Sequence, residues 1–373
     1  MIKCCFSSWL FFLLVLANFS VIGQLTIPNN FRSPIGIPIL LSGNFGELRT
    51  NHFHTGLDVK TNGKINYKIY AIEEGFVSRI NISHWGYGKA IYVDHPNGYT
   101  SVYAHLDHFP PKIEKFIRDH QYKKQSEIIT YYPKIDLIKV KKGEVIAFSG
   151  NSGSSSGPHL HFEIRETVSE HPVNPHLFGF DVVDTRPPVV NKLKLYPIDN
   201  SCINSTSKET DFTLKKINGD YHLQTDTVIR VNGKFGIGVS ALDYYDNSYS
   251  KFGVYAIQVW LDDQLKFKQE INELDFSTSK QINIHKDFNA YNSKRESIHK
   301  TFIHPLNTLA IYDRDLGNGI MEIEDENLHK VTIEVADYNR NKSKVVFYVK
   351  RDAGNNCNDT QLTSNKTLSS LKT

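Results

Sequence analysis

The chain has little cysteine, little charge imbalance and only one long apolar run. Four cysteines stand among 373 residues, and two of them, Cys4 and Cys5, lie in the apolar N-terminal stretch. This scarcity excludes a disulfide-dense scaffold and a cysteine-rich metal module. Cys202 and Cys357 remain, and they form either one disulfide or two free thiols. The formal net charge of +3, with no basic block interleaved with aromatics, argues against a nucleic-acid partner.

The one long apolar run lies at the N-terminus, in MIKCCFSSWLFFLLVLANFSVIGQ. Lys3 precedes the run and small residues follow it, an order that predicts a secretory signal at residues 1–23. An uncleaved membrane anchor is the alternative, because the run approaches spanning length. No second run is long enough to span a bilayer, and no cysteine stands directly after the expected cleavage site, which argues against a lipoprotein anchor. We therefore expect an exported protein, in the periplasm or cell envelope or secreted, without a stable membrane span after signal removal.

The remaining chain is long enough for two domains, and 40% of its residues are hydrophobic. Strand-like runs such as KAIYVDH and GYTSVYAH alternate with Gly-rich turns, which predicts a β domain at residues 24–183. Within it, PPKIEKFIRDHQ has apolar residues at helical spacing, so we predict a helical insertion at about 110–139.

The segment DTRPPVV carries two prolines and predicts a domain boundary. Further strand-like runs with turn residues between them predict an immunoglobulin-like β-sandwich domain at residues 186–351. The polar end, residues 352–373, is expected to be disordered. The predicted fold class is therefore mainly β throughout.

Two histidines stand one residue apart in GNSGSSSGPHLHFEIR, directly after a Gly/Ser-rich loop. On a strand, His159 and His161 share one face, about 7 Å apart along the chain. Both could bind one metal ion, or one could bind it while the other acts on water at the metal.

A second candidate pair, His54 and Asp58, lies in NHFHTGLDV. Gly56 and Val59 disfavour a helix there, so we expect extended backbone with residues 54, 56 and 58 on one face. A glycine at the middle position would leave room for an ion between His54 and Asp58. His52 creates a second H-x-H and competes with His54, but the H-x-G-x-D frame favours His54.

Two imidazoles and one carboxylate suit a catalytic zinc, which takes three protein ligands and keeps a fourth position for water. Zinc lowers the pKa of that water towards ~7 and polarises a substrate carbonyl. A neighbouring histidine that is not a ligand can accept the proton of the water or stabilise the oxyanion. His105, in YTSVYAHLDHF, is a candidate for this role.

These segments together resemble the lysostaphin-like (LytM-type) zinc metallopeptidases, most of which cut peptide cross-links in bacterial peptidoglycan. The resemblance rests on HTGLD, YAIEEGFVSRI, GYGKAIYVDHPNGYTSVYAHL, KKGEVIAFSGNSGSSSGPHLHFEIR and a following NP, and covers about residues 43–180. It implies an antiparallel β-sheet domain with an open groove and one Zn²⁺ per chain. It implies that the zinc ligands are His54, Asp58 and His161. The catalytic histidines that do not bind the metal would be His105 and His159.

Two features limit or extend what the resemblance implies. The insertion after His105 is longer than the connection usual in the family, so substrate preference does not transfer from it. Glu163 has the same strand parity as His161, which makes it a candidate to hydrogen-bond that histidine from behind the metal, with a salt bridge to a basic neighbour as the alternative.

The predicted function is an exported zinc endopeptidase that hydrolyses peptide bonds in peptidoglycan stem or cross-link peptides through a metal-activated water. One alternative is a catalytically silent scaffold that activates other cell-wall hydrolases; the presence of all five site residues argues against it. A second alternative is a secreted protease that acts on non-wall substrates through the same zinc chemistry. The C-terminal domain either binds an envelope protein or the wall, or only stabilises the enzyme.

Overall fold

The computed structural model describes residues 27–28, 30–180, 182–352 and 357. The predicted signal peptide, 1–23, and nearly all of the predicted tail, 352–373, lie outside the described residues. The described chain is mainly β with antiparallel sheets, as predicted. None of its helices is both long and apolar enough to cross a membrane.

The first region forms two antiparallel sheets. Its strands and helix are β1 (Leu41–Gly43), β2 (Leu57–Lys60), β3 (Lys68–Tyr70), β4 (Gly75–Ile82), β5 (Lys89–Asp94), β6 (Tyr99–Ala104), β7 (Leu106–His108), α1 (Pro111–Lys124), β8 (Ile129–Tyr131), β9 (Lys139–Val140), β10 (Val145–Ser149), β11 (His159–Glu166) and β12 (Pro172–Val173). The larger sheet has the order β1-β2-β11-β6-β5-β4-β8, with β12 on β11 and β9 on β4. The smaller sheet has the order β3-β10-β7.

Strand β11 lies inside the larger sheet, between β2 and β6, and positions the candidate site. Its residues alternate between two faces, so Leu160, Phe162 and Ile164 pack into the apolar core while the residues between them face away from it. His161 is paired with Asp58 of β2 on one side and with β6 on the other. Strand pairing therefore brings two distant motifs of the sequence to the same place.

The predicted helical insertion is helical only in its first half. Helix α1 begins at Pro111, where the missing backbone N–H of proline costs nothing, and it ends at Lys124, because the next residue, Gln125, has a left-handed φ of 50°. Ile113 and Ile117 are buried. The rest of the insertion contains β8 and β9, which pair with β4 and extend the sheet.

The second region forms a single hydrogen-bonded sheet. Its elements are β13 (Val189–Pro197), β14 (Cys202–Ile203), β15 (Thr210–Ile217), β16 (Asp220–Leu223), β17 (Ile229–Asn232), β18 (Phe235–Leu242), β19 (Ala256–Leu261), β20 (Gln264–Glu270), α2 (Ile282–His285), α3 (Phe288–Lys294), β21 (His299–Lys300), β22 (Leu328–Ala336) and β23 (Lys342–Arg351). The order is β20-β19-β22-β23-β16-β15-β13-β18-β21, with β17 on β23 and β14 on β17. Two pairings of β23, with β16 and with β17, are parallel.

The immunoglobulin-like form of this region stays a prediction, as do the domain bounds 24–183 and 186–351. Buried apolar side chains of both regions belong to one continuous cluster, which runs from Ile35 to Val349 in the sequence. Cys202 and Cys357 form a disulfide with their Cα atoms 5.6 Å apart, which decides between the two alternatives for these cysteines. The bond joins β14 to the chain just beyond the last strand.

Candidate metal centre

Three candidate ligand atoms converge at one point beside β11. His54 Nε2 lies 3.0 Å from Asp58 Oδ1, and His161 Nδ1 lies 2.8 Å from the same oxygen. The two imidazole nitrogens are 3.1 Å apart. All three side chains are buried, so the structure brings together the set that the motifs predicted.

This donor set fits a zinc ion. Zinc binds imidazole nitrogen and carboxylate oxygen at about 2.0–2.2 Å, which places neighbouring donor atoms of a tetrahedral site about 3.3 Å apart. The observed separations of 2.8–3.1 Å therefore need to open by only a few tenths of an ångström. Three protein ligands would leave a fourth position for water.

The outer nitrogen of each candidate ligand histidine is held by an acceptor. His54 Nδ1 donates to the backbone oxygen of Asn44 at 2.7 Å, and His161 Nε2 donates to Glu163 Oε1 at 2.8 Å. Each acceptor fixes the tautomer of its neutral imidazole. The nitrogens that face the cluster, Nε2 of His54 and Nδ1 of His161, therefore each direct a lone pair into it. Sequence reasoning missed Asn44, because no spacing rule links it to His54.

Glu163 is fully buried and accepts hydrogen bonds from four side chains. Besides His161, it accepts from Thr55 Oγ1 at 2.6 Å, from the Tyr87 hydroxyl at 2.6 Å and from Arg165 Nε at 2.7 Å. Burial alone would raise the pKa of Glu163, but Arg165 and His161 hold it well below its usual range. The two alternatives raised for Glu163, a partner of His161 and an ion pair with a basic neighbour, thus occur together.

The metal-free cluster carries perturbed pKa values. Burial opposes the charged form of His161, yet hydrogen bonds to Asp58 and Glu163 raise its pKa to about 9. Burial lowers the pKa of His54. Asp58 stays ionised despite burial, because the three histidines His54, His159 and His161 lower its pKa. Such coupling means that metal binding displaces a proton from the site.

His105 and His159 lie beside the cluster with their ring centroids 4.7 Å apart. His105 Nδ1 donates to the backbone oxygen of Ser152 at 2.9 Å, and His159 Nδ1 donates to that of Gly157 at 2.8 Å. Because a carbonyl can only accept, Nε2 of each neutral ring is unprotonated. His159 Nε2 lies 3.5 Å from Asp58 Oδ1.

The two histidines differ in burial, since His105 is buried and His159 is half-buried. Burial, with the nearby His161 and His159, lowers the pKa of His105 to about 4, so its ring is neutral at pH 7. The φ of His105 is 58°, an uncommon conformation for a residue with a side chain, and strand β6 ends directly before it.

The exposed His52 lies outside the cluster and donates from its ring to the backbone oxygen of Thr50 at 3.0 Å.

Gly56 is needed for a reason different from the one predicted. Strand β2 begins at Leu57, so His54 precedes the strand. A Cβ at Gly56 would lie 2.4 Å from the backbone oxygen of Phe162 and 3.1 Å from Cε1 of His161. The absent side chain thus makes room for the neighbouring strand and for the imidazole of His161, rather than directly for an ion.

A groove of about 490 Å³ opens over the cluster. His105, His159 and Asp58 line it, together with the Gly/Ser loop at residues 154–157. Arg49 also lines it, and its Nη2 lies 2.7 Å from Asp58 Oδ2. Arg49 precedes the H-x-G-x-D motif, and nothing in its sequence context marks it as a partner of Asp58.

The sequence model of Peptidase family M23 matches residues 52–132 and 121–175. The matched segments contain His54, Asp58, His105, His159 and His161. This part of the chain is an M23 peptidase domain. The M23 match ends at residue 175, before the first strand of the second region.

The M23 domain is similar to parts of larger curated proteins. It is 32% identical over 136 residues to the DD-carboxypeptidase/endopeptidase Mpg of Neisseria meningitidis serogroup B, covering 34% of this chain and 23% of Mpg. An uncharacterized metalloprotease of Haemophilus influenzae is 30% identical over 122 residues, covering 33% of this chain and 20% of that protein. The chain therefore spans less than a quarter of the length of these relatives.

Among solved structures, the catalytic domain of lysostaphin from Staphylococcus simulans is 22% identical, with a TM-score of 0.29. That similarity covers 38% of this chain and 93% of the lysostaphin chain.

Proposed function

We propose that this chain is an exported, zinc-dependent M23 endopeptidase that hydrolyses peptide bonds in peptidoglycan stem or cross-link peptides. The convergence of the donor atoms of His54, Asp58 and His161 carries the proposal, since it provides three ligands within a few tenths of an ångström of the spacing that one Zn²⁺ per chain requires. The M23 match supports the reaction class, and the name of the Neisseria relative supports the substrate class.

The chain's own residues supply the proton transfers. A zinc ion, when bound, contributes Lewis-acid chemistry that acidifies water and polarises the scissile carbonyl. His159 accepts the proton of the attacking water on Nε2, because Gly157 holds its Nδ1 proton. His105, held in the same tautomer by Ser152, shares this general-base role, and the proton then passes to the leaving amine.

The supporting residues keep these groups in position. Asn44 and Glu163 hold the two ligand imidazoles by their outer nitrogens, and Arg49 holds Asp58 by its second oxygen. Preorganised ligands of this kind lower the cost of assembling the site around the metal. Residues 24–183 form the peptidase domain in this proposal, and residues 186–351 position it or bind an envelope partner.

The test measures metal content and muropeptide release on the same protein samples. The mature chain should carry about one zinc and shorten cross-linked muropeptides, whereas His161→Ala should lose both, because one of three ligands is gone. His52→Ala is the matched control, since His52 is exposed and outside the cluster. Mass spectrometry of the products identifies the bond that is cut.

Each other outcome has a defined meaning. Zinc retained at full affinity by His161→Ala would contradict the assigned centre. Zinc bound without muropeptide release would contradict the wall substrate and favour a protease that acts elsewhere. A chain that binds no zinc would overturn the peptidase proposal in favour of a scaffold that activates other wall hydrolases.

A further inference from the structure

Three buried aspartates from distant parts of the chain meet outside the M23 domain. Asp184 lies in the segment before β13, Asp243 directly follows β18, and Asp337 directly follows β22. Their exposed fractions are 7%, 0% and 1%. One carboxylate oxygen from each lies within 4.8 Å of the others.

The hydrogen bonds of this cluster leave three oxygens unused. Asp337 accepts from Asn341 N at 2.9 Å and Asn341 Nδ2 at 2.7 Å, and Asp184 Oδ1 accepts from Arg186 N at 3.0 Å. Asp184 Oδ2 and both oxygens of Asp243 have no hydrogen bond of good geometry among the described residues, although the backbone N–H of Tyr244 lies near enough to lower the pKa of Asp243 slightly. Buried carboxylate oxygens are normally hydrogen-bonded, paired with a charge or bound to a metal.

No basic side chain of the described chain lies within 4.0 Å of these carboxylates, and the more distant charge of Arg186 only partly offsets the raised pKa of Asp243. The guanidinium of Arg186 instead lies over the ring of Tyr244, 5.4 Å from its centroid. Burial, reinforced by Asp184 and Asp337, raises the pKa of Asp243 to about 8. Three adjacent buried carboxylates without a cation are therefore costly in their ionised form.

We propose that Asp184, Asp243 and Asp337 bind a Ca²⁺ ion. Calcium prefers oxygen ligands and binds them at about 2.3–2.6 Å, so two oxygens on one ion stand at most about 5 Å apart. The spacing of the three aspartates falls within that limit. The all-oxygen, anionic donor set disfavours zinc, and Mg²⁺ requires shorter distances and a stricter octahedral geometry.

The ion would join three chain segments at the contact with the M23 domain. The loop that starts at Asp243 continues to Tyr245, whose hydroxyl lies 3.1 Å from His176 Nε2. The same loop reaches Gly253, whose backbone forms two hydrogen bonds with the side chain of Asn44, at 2.8 and 3.0 Å. Calcium at the Asp cluster therefore stabilises the loop that packs against the peptidase domain.

The test is a calcium titration of the zinc-loaded full chain, with thermal unfolding and calorimetry as readouts. We expect Ca²⁺ to raise the Tm of wild type by about 4 °C at ~100 times its Kd, since the binding free energy is set against the unfolding entropy of the whole chain. Asp243→Asn keeps the shape but removes a ligand charge, so it should lose this shift. Asp263→Asn is the matched control and should respond like wild type, because Asp263 is an exposed turn residue beyond Leu261, at the opposite end of β19 from the pairing of Ala256 with Ala336 beside the cluster.

A second readout does not depend on the variant folding. Tb³⁺, a luminescent mimic of Ca²⁺, should bind wild type and be sensitised by the tyrosines that directly follow two of the ligands, Tyr244 and Tyr338. Added Ca²⁺ should then quench that emission by displacement. If neither a Ca²⁺-dependent Tm shift nor displaceable Tb³⁺ emission is found, the proposal is overturned, and the aspartates are neutralised by protonation instead of by a metal ion. An equal response to Mg²⁺ would overturn the choice of calcium.

Discussion

The substitution Glu163→Gln tests whether one buried carboxylate organises the metal centre. Gln has nearly the size of Glu, so packing is kept while the charge is removed. In the wild type, the carboxylate receives hydrogen bonds from Thr55, Tyr87, His161 and Arg165 at 2.6–2.8 Å. The variant therefore changes the electrostatics of four partners without opening a cavity.

Two magnitudes follow from this geometry. The side chain of Arg165 is 5% exposed, and breaking a buried ion pair costs about 3–5 kcal/mol. We expect about 3 kcal/mol, near the lower limit of that range, because Glu170 Oε2 lies 3.4 Å from Arg165 Nη1 and remains a partner. Zinc affinity should fall roughly 10- to 100-fold, since the amide oxygen is a weaker acceptor for His161 Nε2–H.

Urea unfolding of the metal-free protein measures the first magnitude, and competition with a fluorescent zinc chelator measures the second. Glu166→Gln is the matched control, because Glu166 lies on the same strand and accepts from Ser169 N rather than from the site. A loss of less than about 1 kcal/mol together with an unchanged zinc Kd would refute the assigned role of Glu163.

Three further predictions concern the base, the glycine and the buried histidine. His159→Gln should keep zinc and lose about 10²–10⁴-fold in kcat; unchanged turnover in a muropeptide assay would exclude it as the base. Gly56→Ala should cost about 1–3 kcal/mol of unfolding free energy, since the new methyl meets the Phe162 carbonyl; Gly157→Ala, whose methyl meets nothing within 4 Å, is the control. Burial lowers the pKa of His176 from 6.5 to about 4. The unfolded chain therefore binds more protons between these pH values, so stability should rise by about 3 kcal/mol from pH 4 to 6.5. Unfolding curves should show this pH dependence reduced in His176→Gln, and an identical dependence would contradict the assignment.

The periodicity of the sequence predicted which face of a strand a side chain occupies, because that face depends only on the residue's position in its own strand. Alternation in HLHFEIR predicted correctly that His161 lies on the face opposite Leu160 and Phe162. The mainly β fold was confirmed for the same reason, because strand runs and turn residues are local signals. The second half of the insertion was predicted as helical and forms β8 and β9 instead, since pairing with β4 outweighs local helical preference.

Residues that act through the fold were not predictable from motifs. Tyr87 reaches Glu163 from a loop, and Asn44 reaches His54 through a backbone oxygen, which any residue type supplies. The aspartate cluster was missed because its members are separated by about 60 and 90 residues, and each looks like an ordinary turn residue alone. Only the packing of β18 against β13, and of β22 against β23, determines where these turns lie.

The contact between Asn44 and Gly253 has a consequence for modularity. The two residues are 209 positions apart, and their hydrogen bonds join the second region to the residue that orients His54. A chimaera made by cutting the chain near residue 184 and attaching a foreign partner would retain both motifs intact. It would also lose Gly253, the neighbour that holds Asn44. The peptidase region therefore cannot be exchanged between proteins as an independent unit. Recombination at this boundary would transfer His54 without the contact that orients it.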